Sequence, residues 1–156
     1  MRHLSNALEK FFSGFVDTFG RTAAGNPLTP PRQPMSSIPA FKEGFAQVET
    51  TEGWQPPDPP YIIYQTKQPD LFGNVMIRVD IWDRWATPAV FGTVDDIIRQ
   101  ISNEIPILSA KVLPLADGGS VRLFRNNPYT SHMAGDDKDP TWVRGIVNLI
   151  IRGYNL

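Results

Sequence analysis

His132 is the residue whose type and setting best suit chemistry. It lies in Ser131-His132-Met133, just ahead of Asp136, Asp137 and Asp139. An imidazole beside carboxylates can work as a general base or help to hold a metal ion. The same acids run together with Gly135 and Pro140, which is ordinary loop composition, and they lack the alternate spacing and closing glutamate of a calcium loop. A second pattern is that of a metal-dependent nuclease, in which a Pro-Asp turn precedes an acid and a lysine on a strand. Pro69-Asp70 and Asp80 fill the first two places, but Trp82 stands where the lysine belongs. Asp80 and Asp83 also cannot readily share a metal, because the two fall on opposite faces of a regular strand. Third, Arg122, Phe124 and Arg125 offer a small basic and aromatic surface of the kind that meets nucleic acid. A solvated hairpin face accounts for them equally, and a net charge of -1 supplies no attracting field.

Other chemistries are absent from the sequence. There is no Gly-x-Ser-x-Gly elbow, no phosphate loop and no dinucleotide fingerprint. The chain has no cysteine, so disulfides, thiolate zinc sites and cysteine nucleophiles are excluded. The expectation is therefore no catalytic residue, no cofactor and no metal. A hydrolase built on His132, Asp136 and Asp137 is the alternative.

The elements that would position these residues centre on Pro60–Arg84. Tyr61–Gln65 reads as a short strand, and Lys67–Asn74 as its connection. Val75–Asp83 alternates strictly: Val75, Ile77, Val79 and Ile81 share one face, Met76, Arg78, Asp80 and Trp82 the other. A helix follows, with Thr87-Pro88 or Thr93 as its start, a stripe of Val90, Val94, Ile97, Ile98, Ile101 and Ile105, and Pro106 as its stop. Asp117-Gly118-Gly119 predicts a hairpin between Ala110–Ala116 and Ser120–Arg125. Pro114 cannot donate to a ladder, so its strand should be an edge. Asn126–Pro140 reads as a polar loop. Thr141–Tyr154 reads as a last strand, apolar on both faces and therefore central.

Ahead of this core lie two further pieces. Leu4, Leu8, Phe11, Phe12, Phe15, Val16 and Phe19 recur at three and four, predicting an amphipathic helix from Leu4 to Phe19 that packs on the sheet or on a neighbouring subunit. Of 15 prolines, most fall between positions 27 and 69, and they prevent regular structure from running through, although the short piece Ala40–Val48 could form a strand or a turn of helix. Phe41 and Trp54 inside this arm favour docking over a bare linker. The fold expected is α+β: a mostly antiparallel sheet of about five strands with two helices packed on it. At 156 residues a single domain is the default, divided as an N-terminal helix (1–20), a proline-rich arm (21–59) and a core (60–156). No run approaches the ~18 apolar residues of a membrane span, and the first twenty residues do not read as a signal peptide.

Several stretches together resemble one family. Pro60-Tyr61-Ile62-Ile63-Tyr64, Val79-Asp80-Ile81-Trp82-Asp83-Arg84, Asp95-Asp96-Ile97, the hairpin into Arg125-Asn126-Asn127-Pro128-Tyr129, and Trp142–Tyr154 after an acidic loop are similar to the tail-terminator and head-to-tail joining proteins of tailed bacteriophages. The likeness spans about residues 60–156, and the long proline-rich arm departs from it. The resemblance implies a structural virion protein of the neck, assembled in the host cytoplasm. It implies a homo-oligomeric ring, commonly a hexamer, that meets the tail-tube protein on one side and the head-side connector on the other. DNA would pass through without being read, and no membrane would be involved. A protein-binding adaptor using Pro30-Pro31-Arg32-Gln33-Pro34 is a further alternative. Subunit-contact candidates are Phe11, Phe15, Phe19, Phe41, Trp54, Pro114, Arg122, Arg125 and Trp142.

Overall fold

The computed structural model describes residues 2–17, 37–44, 46–67, 71–84, 92–136 and 139–152. Among them the order is α1 (Arg2–Phe12), β1 (Ala40–Lys42), β2 (Val48–Thr50), β3 (Gly53–Gln55), β4 (Tyr61–Thr66), β5 (Val75–Arg84), α2 (Gly92–Glu104), β6 (Lys111–Pro114), β7 (Ser120–Asp136) and β8 (Asp139–Ile151). Six strands form one sheet in the order β1-β4-β5-β8-β7-β6, and β2 and β3 form a separate two-stranded sheet. The architecture is α+β, as expected. The main sheet has one strand more than expected and is mixed, because β1 runs parallel to β4.

The alternation along β5 sets the two faces. Val79 lies opposite Tyr64 on one side and Val147 on the other, and Ile77 opposite Leu149. These side chains and their in-register neighbours Ile62, Val75, Ile81, Val143 and Ile151 are buried. Both described helices cover this face. Leu4, Leu8 and Phe12 of α1 and Val94, Ile97 and Ile101 of α2 complete a single aliphatic core. Phe12 stacks on Tyr64 with ring centroids 5.3 Å apart. Gly145 is where α2 comes closest: a Cβ there would lie 2.4 Å from Val94 Cγ1 and 2.9 Å from Ile98 Cδ1.

Three expectations change. The N-terminal helix ends at Phe12, not at Phe19. The Gly14 N–H closes a tight turn onto the Phe11 carbonyl at 3.2 Å. The chain beyond it bonds elsewhere: the Ile38 N–H donates to the Phe15 carbonyl, and the Gln100 side chain bonds both the N–H and the carbonyl of Val16. Phe15 is still buried, but it reaches the core from a turn. Second, the arm holds more regular structure than expected: Ala40–Lys42 takes the strand alternative open to Ala40–Val48, and the β2–β3 hairpin follows it. Third, Asn126–Pro140 is not a loop. β7 runs on to Asp136 and pairs with β8, interrupted by irregularities between Arg125 and Thr130 and between Ala134 and Asp136. Polar side chains do not prevent a strand when a long apolar partner such as β8 supplies the ladder. The proposed helix start at Thr87-Pro88 and the residues Val90, Phe19 and Tyr154 lie outside the described residues.

The edge at β6 is blunted. The Leu115 N–H donates to the Gly119 carbonyl at 2.8 Å. By antiparallel alternation, Leu113 and Lys111 then turn their backbone groups toward β7, and Val112 and Pro114 turn theirs outward. Proline has no N–H, so the outer edge offers a single donor, that of Val112.

Candidate assembly surface

The second face of the main sheet carries a different kind of side chain. From β4 it takes Tyr61, Ile63 and Gln65. From β5 come Met76, Arg78, Asp80, Trp82 and Arg84, and from β8 Trp142, Arg144, Ile146, Asn148 and Ile150. Arg122 and Phe124 of β7 and Phe41 of β1 lie on the same face by register. Neither described helix touches it.

Register explains how its aromatic residues meet. Tyr61 is opposite Trp82, and Trp82 is diagonal to Trp142 across β5 and β8. Trp142 packs edge-on to both, with centroids 6.3 Å from Tyr61 and 6.1 Å from Trp82. Guanidinium groups lie over the rings: Arg84 is 5.7 Å from the centre of Trp142, Arg144 5.0 Å from Trp82, and Arg152 5.2 Å from Phe124. Such cation–π contacts hold planar cations flat while leaving their outer N–H groups in solvent. Asp80 accepts from Arg78 at 3.1 Å and lies 3.8 Å from Arg144. Burial raises the Tyr61 phenol above its ordinary range. Among the described residues, five arginines (Arg78, Arg84, Arg122, Arg144 and Arg152) thus share this face with one acid of the strands, Asp80.

The remaining contact candidates are distributed elsewhere. Phe11, Phe15 and Pro114 line a cavity of about 550 Å³ between α1, the end of α2 and β6, with Gln100, Glu104 and Lys111. Trp54 is exposed on the β2–β3 hairpin. Arg125 is used within the chain. Its Nε donates to the Ile105 carbonyl and its Nη2 to the Ser102 carbonyl, both at 2.9 Å, while its guanidinium stacks 4.5 Å from the Tyr129 ring centre. It thereby satisfies carbonyls that the end of α2 leaves without intrahelical partners.

The histidine pattern is rearranged. His132 Nε2 lies 2.5 Å from Asp95 Oδ1 of α2, a carboxylate that the spacing of His132 and Asp136 did not point to. The backbone of Asp136 is opposite Asp139 at the tip of the β7–β8 hairpin, and Asp137 lies outside the described residues. Among the described residues, no three metal-ligating side chains come together. Asp80 and Asp83 are on opposite faces of β5, as the alternation predicts.

Sequence reasoning missed Trp82, Arg84, Arg144 and Arg152 as a group. Their alternation was visible, but only the β5–β8 and β7–β8 registers bring them together. No family model matches the chain, and no curated protein matches it.

Proposed function

We propose that this chain is a structural assembly subunit, a tail-terminator or head-to-tail connector protein that forms a ring in the neck of a tailed bacteriophage. The observation that carries the reading is the two-faced sheet. One face is invested by helices, and the other presents Tyr61, Trp82 and Trp142 under a layer of arginines. Aromatic residues and arginine are the types enriched where proteins meet, and they supply most binding hot spots. The sequence resemblance over residues 60–156 supplies the particular setting, and neighbours would be further copies, the tail-tube protein and the head-side connector. The test is native mass spectrometry of the purified chain across micromolar concentrations. A discrete homo-oligomer, a hexamer for a ring of the expected kind, supports the reading, and a monomer at every concentration overturns it.

A further inference from the structure

The β2–β3 hairpin stands apart from the rest of the fold. Its pairing is confined to itself, Val48 opposite Gln55 and Thr50 opposite Gly53, and all six strand residues are exposed. Thr50 Oγ1 closes the turn, accepting from the Glu52 N–H and donating to the Gly53 carbonyl, and Gly53 takes the positive φ of 100° that this turn needs. An isolated two-stranded hairpin is marginal in water and gains stability by packing on another surface. This one displays Trp54, 63% exposed, on an acidic segment. Glu43, Glu49, Glu52 and Asp58 fall between positions 43 and 66, where there is no lysine or arginine.

The open sheet face is its complement in both respects. It has five arginines against Asp80, together with half-buried rings beside which an added indole would pack. We propose that the Val48–Gln55 hairpin of one copy docks on the open sheet face of a second copy, Trp54 joining the Tyr61–Trp142–Trp82 cluster and Glu49 and Glu52 meeting the arginines. This rests on the reading that the chain assembles with itself, and it gives that assembly its direction. Hairpin and face are different surfaces, so the contact is heterologous, and repetition around an axis closes a ring. A nucleic acid strand is the other polyanion such a face could meet. The acidic, Trp54-bearing hairpin is carried by every copy of this chain, and the oligonucleotide arm of the experiment below separates the two partners.

The experiment uses two variants of the full chain, altered only at exposed positions. One carries Glu49→Lys and Glu52→Lys, the other Arg84→Glu, Arg122→Glu and Arg152→Glu. Circular dichroism checks that each folds, and Trp54→Ala serves as an uncharged third variant. The expected result is that each variant raises the concentration needed for assembly by about tenfold or more. An equimolar mixture of the two charge variants then restores oligomers of alternating chains, since one junction pairs two unaltered surfaces and the next pairs a lysine hairpin with a glutamate face. If both variants keep the wild-type oligomer, the hairpin contact is overturned and the assembly reading stands. If wild type itself is monomeric throughout, the assembly reading falls. A mixture that stays monomeric while wild type assembles overturns docking between copies. A labelled single-stranded oligonucleotide that binds wild type and is lost only in the arginine variant, with assembly unchanged, reassigns the face to nucleic acid and overturns the proposal.

Discussion

The two faces of the main sheet are built from the same strands yet are almost different materials. On the helix side, Ile62, Ile77, Val79, Ile81, Val147 and Leu149 are aliphatic and shielded from water. On the open side, the alternate positions of β5 and β8 carry Trp82, Trp142, Arg78, Arg84 and Arg144, together with Ile146 and Ile150, each only 8% exposed. Aliphatic side chains gain most from exclusion of water and from close packing. Aromatic rings and guanidinium groups keep polar edges that stay useful when partly wet. One strand such as β5 therefore presents two surfaces by alternation alone: Val75, Ile77, Val79 and Ile81 pack under the helices, and Arg78, Trp82 and Arg84 stand on the other face.

This contrast can be broken by mutation on each side. The largest effect is expected for Phe12→Ala on the covered side, which leaves a cavity against Tyr64 and should cost about 3–5 kcal/mol in chemical denaturation. The matching change on the open side, Trp142→Ala, should cost less monomer stability, about 2 kcal/mol, because its ring is only partly buried. Its greater effect should fall on assembly, read by native mass spectrometry. Equal losses of stability from the two changes would show that the faces are not distinct. Next comes Gly145→Ala, which forces a methyl group against Val94 and Ile98. It should destabilise by about 1–3 kcal/mol and be partly rescued by Val94→Ala in the same chain, a coupling that measurements of the double variant would reveal. The smallest effect concerns Tyr64. Burial first, and then the Glu9 carboxylate, push its phenol from 10.0 up to about 12. The folded state thus favours the neutral phenol. The stability that follows is complete below pH 10 and is lost as the pH rises toward 12. Tyr64→Phe should flatten that alkaline part of the profile and change little near neutrality, whereas Tyr61→Phe on the open side should flatten it less.

The sequence was most legible where period and burial agree. The alternation of Val75–Asp83, the stripe of Ile97 and Ile101, the Asp117-Gly118-Gly119 turn and the central last strand are all local patterns with one physical reading. It was least legible where distant partners decide. Residues 126–136 carry Asn127-Pro128, Ser131 and His132, and they become a strand only because β8 pairs with them. Ala40–Lys42 lies in a piece that reads as either strand or helical turn, and pairing with β4 decides it. The helix stripe through Phe15 looks continuous, yet Gly14 and the side chain of Gln100, 86 positions beyond it in sequence, end the helix at Phe12. The candidate surface was half visible. Trp142, Arg122 and Phe41 were singled out, while Arg125 was assigned to the surface although it closes the end of α2. No spacing rule pairs His132 with Asp95, since only the packing of α2 over β7 brings them together.

Pro114 has a consequence for how many copies can gather. A sheet with an open outer edge can recruit strand after strand without limit, and at the high concentration of an assembling particle that growth yields filaments. With one outward donor at β6, the sheet is a poor template for such growth. In the proposed assembly, where copies meet through faces and arms, growth stops if the rotation closes a circle, and Pro114 keeps the β6 edge from offering a competing, open-ended route.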